Sequence, residues 1–142
     1  SSSSRGLGDV YKRQIVSSSK KNVLRGLHYQ NNKPQDKFIT VIKGRILDVV
    51  VDIRKNSKTY GKHFKIELSE FNSKILFVPK GFAHGFLGLE KENIVVYSLS
   101  EYRNKKGEKS LLWNDEKLKI KWGIKKPIIS SKDKNAELFK NI

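Results

Sequence analysis

Between residues 37 and 99 the chain alternates apolar and polar side chains in short runs, the period expected of half-buried β-strands. The clearest run is Arg45 to Arg54, where Leu47, Val49, Val51 and Ile53 make an unbroken apolar face. Ile46, Asp48, Val50 and Asp52 make the mixed face opposite it. Lys37 to Ile42 precedes this run across a Lys43-Gly44 turn, and His63 to Leu68 follows it after the loop Lys55 to Lys58 and Gly61. Lys74 to Val78 and Asn93 to Leu99 complete the set. Short strands at roughly ten-residue spacing predict an antiparallel sandwich or barrel, and the fold class expected is all-β, of the jelly-roll type. Helix is scarce. Leu111 to Ile120 is mixed, and Asp133 to Phe139 could form one short C-terminal helical segment. Ser17 to Asn22 reads as a polar loop, and Asn31 to Pro34 as a turn-rich one.

The N-terminus fits this pattern poorly. Ser1 to Gln14 has neither helical nor strand periodicity, so residues 1–16 are expected to be an atypical or disordered segment ahead of one domain over 17–142. A chain of 142 residues with 37% hydrophobic side chains is long enough for a single core. It has no cysteine, which excludes a disulfide framework and a thiolate metal site. No apolar run approaches the roughly 20 residues of a membrane span, and the expected location is the cytoplasm. The net charge of +16 is carried mostly by scattered lysines and thickens from Lys105 to Lys126. It reads as a solvated surface, and secondly as a pull on a phosphorylated small substrate. Neither a zinc finger, nor a recognition helix, nor an RNP-like aromatic stretch accompanies it, so nucleic acid is not an expected partner.

Two histidines stand in settings suited to chemistry. His28 lies among polar neighbours, between Arg25-Gly26 and Gln30, where it could be a base or a structural residue. His84 ends the stretch Pro79-Lys80-Gly81-Phe82-Ala83-His84, a Pro-x-Gly-x-x-His pattern found at strand-to-turn corners of cupin jelly rolls. Metal-binding cupins add an earlier His-x-His pair. Here His28 is followed by Tyr29-Gln30, and no metal is expected.

Val23-Leu24-Arg25-Gly26-Leu27-His28-Tyr29-Gln30, then Gly44 to Arg54, Val78 to Phe86 and Ser130-Ser131-Lys132-Asp133, together resemble the dTDP-4-dehydrorhamnose 3,5-epimerase family. The resemblance runs from about Ser17 to Leu138 in family order. It implies a homodimeric, cofactor-independent isomerase acting on a dTDP-linked 4-keto-6-deoxy sugar and inverting the two carbons beside the ketone. By resemblance His28 is the base, Asp133 its hydrogen-bonding partner and Tyr97, thirteen residues after His84, the opposed general acid. Read alone, Asp133 fits a helix N-cap and Tyr97 fits core packing. Arg25, Lys37, His84, Glu108 and Lys132 match substrate-contacting positions, and Tyr102 is expected to wall the pocket. Lys37 would steady an enolate or a phosphate; its plain alternative is a solvated lysine. Ser1 to Val16 lacks the family's usual N-terminal motifs, so altered nucleotide binding and dimer packing are expected. Two rival readings are a one-carbon epimerase or keto-isomerase on the same scaffold, and a non-catalytic jelly roll that binds sugar or anions.

Overall fold

The valine-rich run becomes β4 (Arg45–Asp52), and both of its faces are buried. In this computed structural model, which describes residues 11–142, the unbroken apolar face does not look into the sandwich. Val49 and Val51 pack instead against Leu111, Leu118 and Trp122, which belong to the segment that follows the last strand. The mixed face looks inward: Ile46 joins Ile39, Val41, Leu68, Val78, Phe86 and Val95 in the core between the sheets. Asp48 is fully buried on that same face. The covering segment explains how the unbroken apolar face is buried although the mixed face is the one that lines the interior of the sandwich.

The remaining strands are β1 (Arg13–Lys20), β2 (Leu24–Gln30), β3 (Lys37–Lys43), β5 (His63–Ser69), β6 (Ile75–Val78), β7 (Phe82–Gly88), β8 (Glu92–Leu99) and β9 (Glu108–Ser110). One sheet has the order β1-β8-β3-β6 and the other β5-β4-β7-β2-β9, antiparallel throughout. Two facing antiparallel sheets with this crossed order form a jelly roll, as the alternation predicted. Helix is confined to α1 (Ser131–Lys134) and a 3₁₀ turn, Phe139–Asn141. Among the described residues no helix is long and apolar enough to cross a membrane.

The N-terminal expectation needs correction where it can be compared. Residues 1–10 lie outside the described part, but Arg13–Lys20 is a strand, not an atypical segment followed by a polar loop. It pairs with β8 from Arg13↔Leu99 to Lys20↔Glu92. Its serines hid it: Ser17 and Ser19 point inward, and Ser19 is buried beneath Arg25 Nε, which donates to its Oγ at 2.9 Å. Pairing with a full-length neighbour overrides weak local propensity.

Two glycines set the approach of β2 to β7. The pairing slips between Arg25 and His28, a bulge that re-aims the strand. Gly26 has φ +114°, and a Cβ there would stand 2.6 Å from Gly85 Cα and 2.7 Å from the His84 carbonyl oxygen. One on Gly85 would meet the Arg25 carbonyl oxygen at 2.6 Å. Past the bulge, His28 and His84 become direct cross-strand partners.

Candidate active site

His28 leaves β2 toward a cleft of about 420 Å³ between the two sheets. Its Nε2 lies 2.7 Å from Asp133 Oδ1, while the other carboxylate oxygen of Asp133 accepts the Gly26 N–H at 3.1 Å. Burial pushes the Asp133 carboxyl up, yet the His28 ring and the Gly26 N–H outweigh it and hold the group below the usual carboxylate range. Asp133 is therefore not the helix cap. Ser130 is the cap: its Oγ accepts the Asp133 N–H at 3.2 Å. That leaves the carboxylate free to orient the imidazole, a geometry that fixes one ring nitrogen.

His84 lines the cleft from β7, beside His28. Its Nε2 is 2.8 Å from Oδ2 of the buried Asp48 on β4. Burial lowers the basicity of His84, and Lys37 and His28 add to that, against the pull of Asp48.

Tyr97 reaches the same cleft from β8 in the opposite sheet. Its ring meets His84 edge-on with centroids 6.1 Å apart and lies 6.2 Å from Phe86. Burial, reinforced by the Asp48 charge, pushes the phenol well above its ordinary range, so the hydroxyl keeps its proton. Lys37 enters from β3, next to β8 in the register Lys37↔Leu99. Desolvation lowers its ammonium to about 8 against the pull of Asp48 and Glu108. It is not the solvated lysine of the plain reading.

The rim is charged. Arg25 is held by Ser19 and by the Ser18 carbonyl oxygen at 3.2 Å. Glu108 on β9 pairs with Arg103, and Lys132 Nζ stands 3.7 Å from the same carboxylate. Arg25, Lys37, His84, Glu108 and Lys132 all line the cleft. Tyr102 does not. Tyr102 is 62% exposed, with Lys12 Nζ 5.8 Å over its ring, and its backbone oxygen accepts from Gln30 Nε2. The chain turns away after β8, so proximity in sequence to Tyr97 misplaced it.

Several lining residues carried no signal in the motifs: Arg13, Gln35, Arg103 and Lys109. Asp48 did offer one. A lone carboxylate between Leu47 and Val49 in a strand buried on both sides is uncommon unless something pairs with it. The assembled geometry sets an imidazole held by a carboxylate on one sheet and a phenol that retains its proton on the other. Such a pair can remove a proton from one face of a small molecule and return one to the opposite face.

A family model described as dTDP-4-dehydrorhamnose 3,5-epimerase matches residues 2–141 of the chain. The match thus begins well ahead of Ser17, where the motifs suggested it would. A curated dTDP-4-dehydrorhamnose 3,5-epimerase from Methanothermobacter thermautotrophicus is 46% identical over 122 residues, covering 84% of this chain and 66% of that one. The chain spans about two thirds of that relative's length. Among solved structures, it superposes on dTDP-6-deoxy-D-glucose-3,5-epimerase from Legionella pneumophila in complex with dTDP-4-keto-L-rhamnose. That comparison has a TM-score of 0.91 and 38% identity, over 96% of this chain and 73% of that one. It also superposes on a 3'-monoepimerase from Streptomyces bikiniensis in complex with dTDP. There the TM-score is 0.87 and the identity 26%, over 98% of this chain and 73% of that one.

Proposed function

This chain belongs to the dTDP-4-dehydrorhamnose 3,5-epimerase family, and from that premise we propose that it inverts C3 and C5 of dTDP-4-dehydro-6-deoxy-D-glucose to give dTDP-4-dehydro-L-rhamnose. The observation that carries the proposal is the placement of His28, backed by Asp133, and Tyr97 on opposite sheets of one sugar-sized cleft.

The steps follow from the chemistry of a C–H bond beside a ketone, which is acidic only if the resulting enolate is stabilised. His28 takes the proton, and the Asp133 carboxylate stabilises the imidazolium that results. Lys37 faces the developing negative charge. Tyr97 then delivers a proton from the other side, which inverts the carbon. Solvent takes the proton from His28 and returns one to Tyr97 before the second carbon is treated. Arg25 and Lys132 suit the anionic diphosphate, arginine through its planar fork; His84 and Glu108 suit the polar groups of the sugar. A sugar precursor for surface polysaccharide, made in the cytoplasm, is the setting this implies.

A homodimer belongs to the same proposal. The outer face of the four-stranded sheet carries Val16 at 66%, Ile42 at 57%, Ile75 at 62% and Phe77 at 49% exposure. Phe38 lies there too, between Tyr11 and Phe77, at centroid distances of 5.5 and 5.0 Å. An apolar patch across three of the four strands suits a second copy of the chain.

Incubation with the 4-keto sugar nucleotide in heavy water tests the reading, with the product followed by NMR. Deuterium at C3 and C5 with inversion at both is the expected result; no uptake at either carbon would overturn it. Inversion at C3 alone would instead establish the one-carbon reading, which the likeness to the Streptomyces bikiniensis 3'-monoepimerase keeps in view.

A further inference from the structure

Behind His84 stands a carboxyl group that the steps above leave idle. Asp48 is fully buried, and its Oδ2 lies 2.8 Å from His84 Nε2. Its other oxygen, Oδ1, is buried without a partner among the described residues. An ionised carboxylate has about four lone-pair sites to satisfy and is costly to bury with one hydrogen bond. Asp48 with one oxygen unpartnered is ill-suited to stand as a bare carboxylate beside a neutral ring. The titratable groups that face the pair come from three other strands: Lys37 on β3, His28 on β2 and Tyr97 on β8. Since Nε2 is turned to Asp48, Nδ1 is the ring nitrogen left for the cleft that His84 lines.

We infer that Asp48 and His84 hold one shared proton between Oδ2 and Nε2 and keep a second proton on Nδ1, making His84 a hydrogen-bond donor to the substrate ketone oxygen as it gains negative charge. Asp48 is then a positioning residue that acts through His84. Burial favours the neutral pair from both sides, raising the carboxyl of Asp48 and lowering the imidazole of His84. Whether the shared proton sits on Oδ2 or on Nε2, the pair is uncharged overall and Nδ1 carries hydrogen. When His28 removes the C–H proton, the bonding electrons move into the C–C bond and the carbonyl electrons move onto oxygen. The Nδ1–H bond to that oxygen shortens, and the shared proton moves from Asp48 toward Nε2. No proton leaves the pair; the shift reverses when the ketone re-forms. A donor preset for the charged oxygen stabilises the enolate more than the ketone.

The catalytic use of the pair rests on the epimerase reading, whereas its protonation can be measured in the free protein. Long-range ¹⁵N–¹H correlation of histidine-labelled protein reports which ring nitrogen carries hydrogen, and spectra of His28→Gln and His63→Gln assign the three rings. We expect His84 Nδ1 to be protonated throughout about pH 6 to 8. A lone-pair shift at Nδ1 would overturn the inference, whatever the protein does to a sugar. Asp48→Asn retains shape and can donate to Nε2 but has no acidic proton to shift. It should lower kcat about 10- to 100-fold with KM nearly unchanged. An unchanged kcat in Asp48→Asn, with the parent protein active, would refute the coupling and leave the epimerase reading standing.

Discussion

Lys37 is pulled two ways, by a dry cleft that disfavours its charge and by Asp48 and Glu108, which favour it. The balance leaves its ammonium at about 8, against an ordinary value of 10.5. If the charged form serves the enolate, turnover should fall as pH rises through about 8, and Lys37→Gln should be slower by about 10- to 100-fold and lack that limb. Stability responds in the opposite sense. Between about 8 and 10.5 the unfolded chain holds this proton more than the folded one does, so this residue's contribution to stability grows with pH there. Urea unfolding of the parent and of Lys37→Gln across that range checks the sign. At this scale the sequence spoke through motif residues: His28, His84, Tyr97 and Lys37 all line one cleft. Asp48 gave only the faint signal of a lone carboxylate in a valine-rich strand, because a strand's alternation does not say which face a later segment will cover.

The β2–β7 contact and the short helix α1 together aim His28. Gly26→Ala would place a Cβ against Gly85 and the His84 carbonyl at a backbone conformation that side chains seldom adopt. Overpacking and strain together should destabilise the protein by about 2–5 kcal/mol in urea unfolding. Ser130→Ala removes only the cap of α1. It should cost about 1 kcal/mol and lower kcat more than it raises KM, because Asp133 loses its fixed register against His28. The strands β3, β4 and β5 were readable from their apolar runs and faces. β1 was not, because a serine-rich run reads as loop until the eight-residue ladder with β8 is seen. Central strand β7, with Gly85 and Gly88 in it, was likewise obscured by residues chosen for close packing rather than propensity.

For the whole molecule, a jelly roll follows from short alternating strands, and its cleft follows from facing sheets that do not fill the space between His28 and Tyr97. The layer formed by residues 111–142 was out of reach of pattern reading. Its apolar residues Leu111, Leu118 and Trp122 are too irregularly spaced to announce a structure, yet they bury the outer face of β4. The apolar outer face of the other sheet makes an oligomer prediction: sedimentation should give a dimer, and Phe77→Lys should shift it to the monomer. A monomer in the unchanged protein would refute that.

The opposed base and acid are tested most directly by deuterium uptake from heavy water into the 4-keto sugar nucleotide, comparing Tyr97→Phe with His28→Ala. Tyr97→Phe, its base intact, should still wash deuterium into the carbons beside the ketone while losing inversion, and His28→Ala should do neither. Undiminished uptake in His28→Ala, or normal inversion in Tyr97→Phe, would contradict the account.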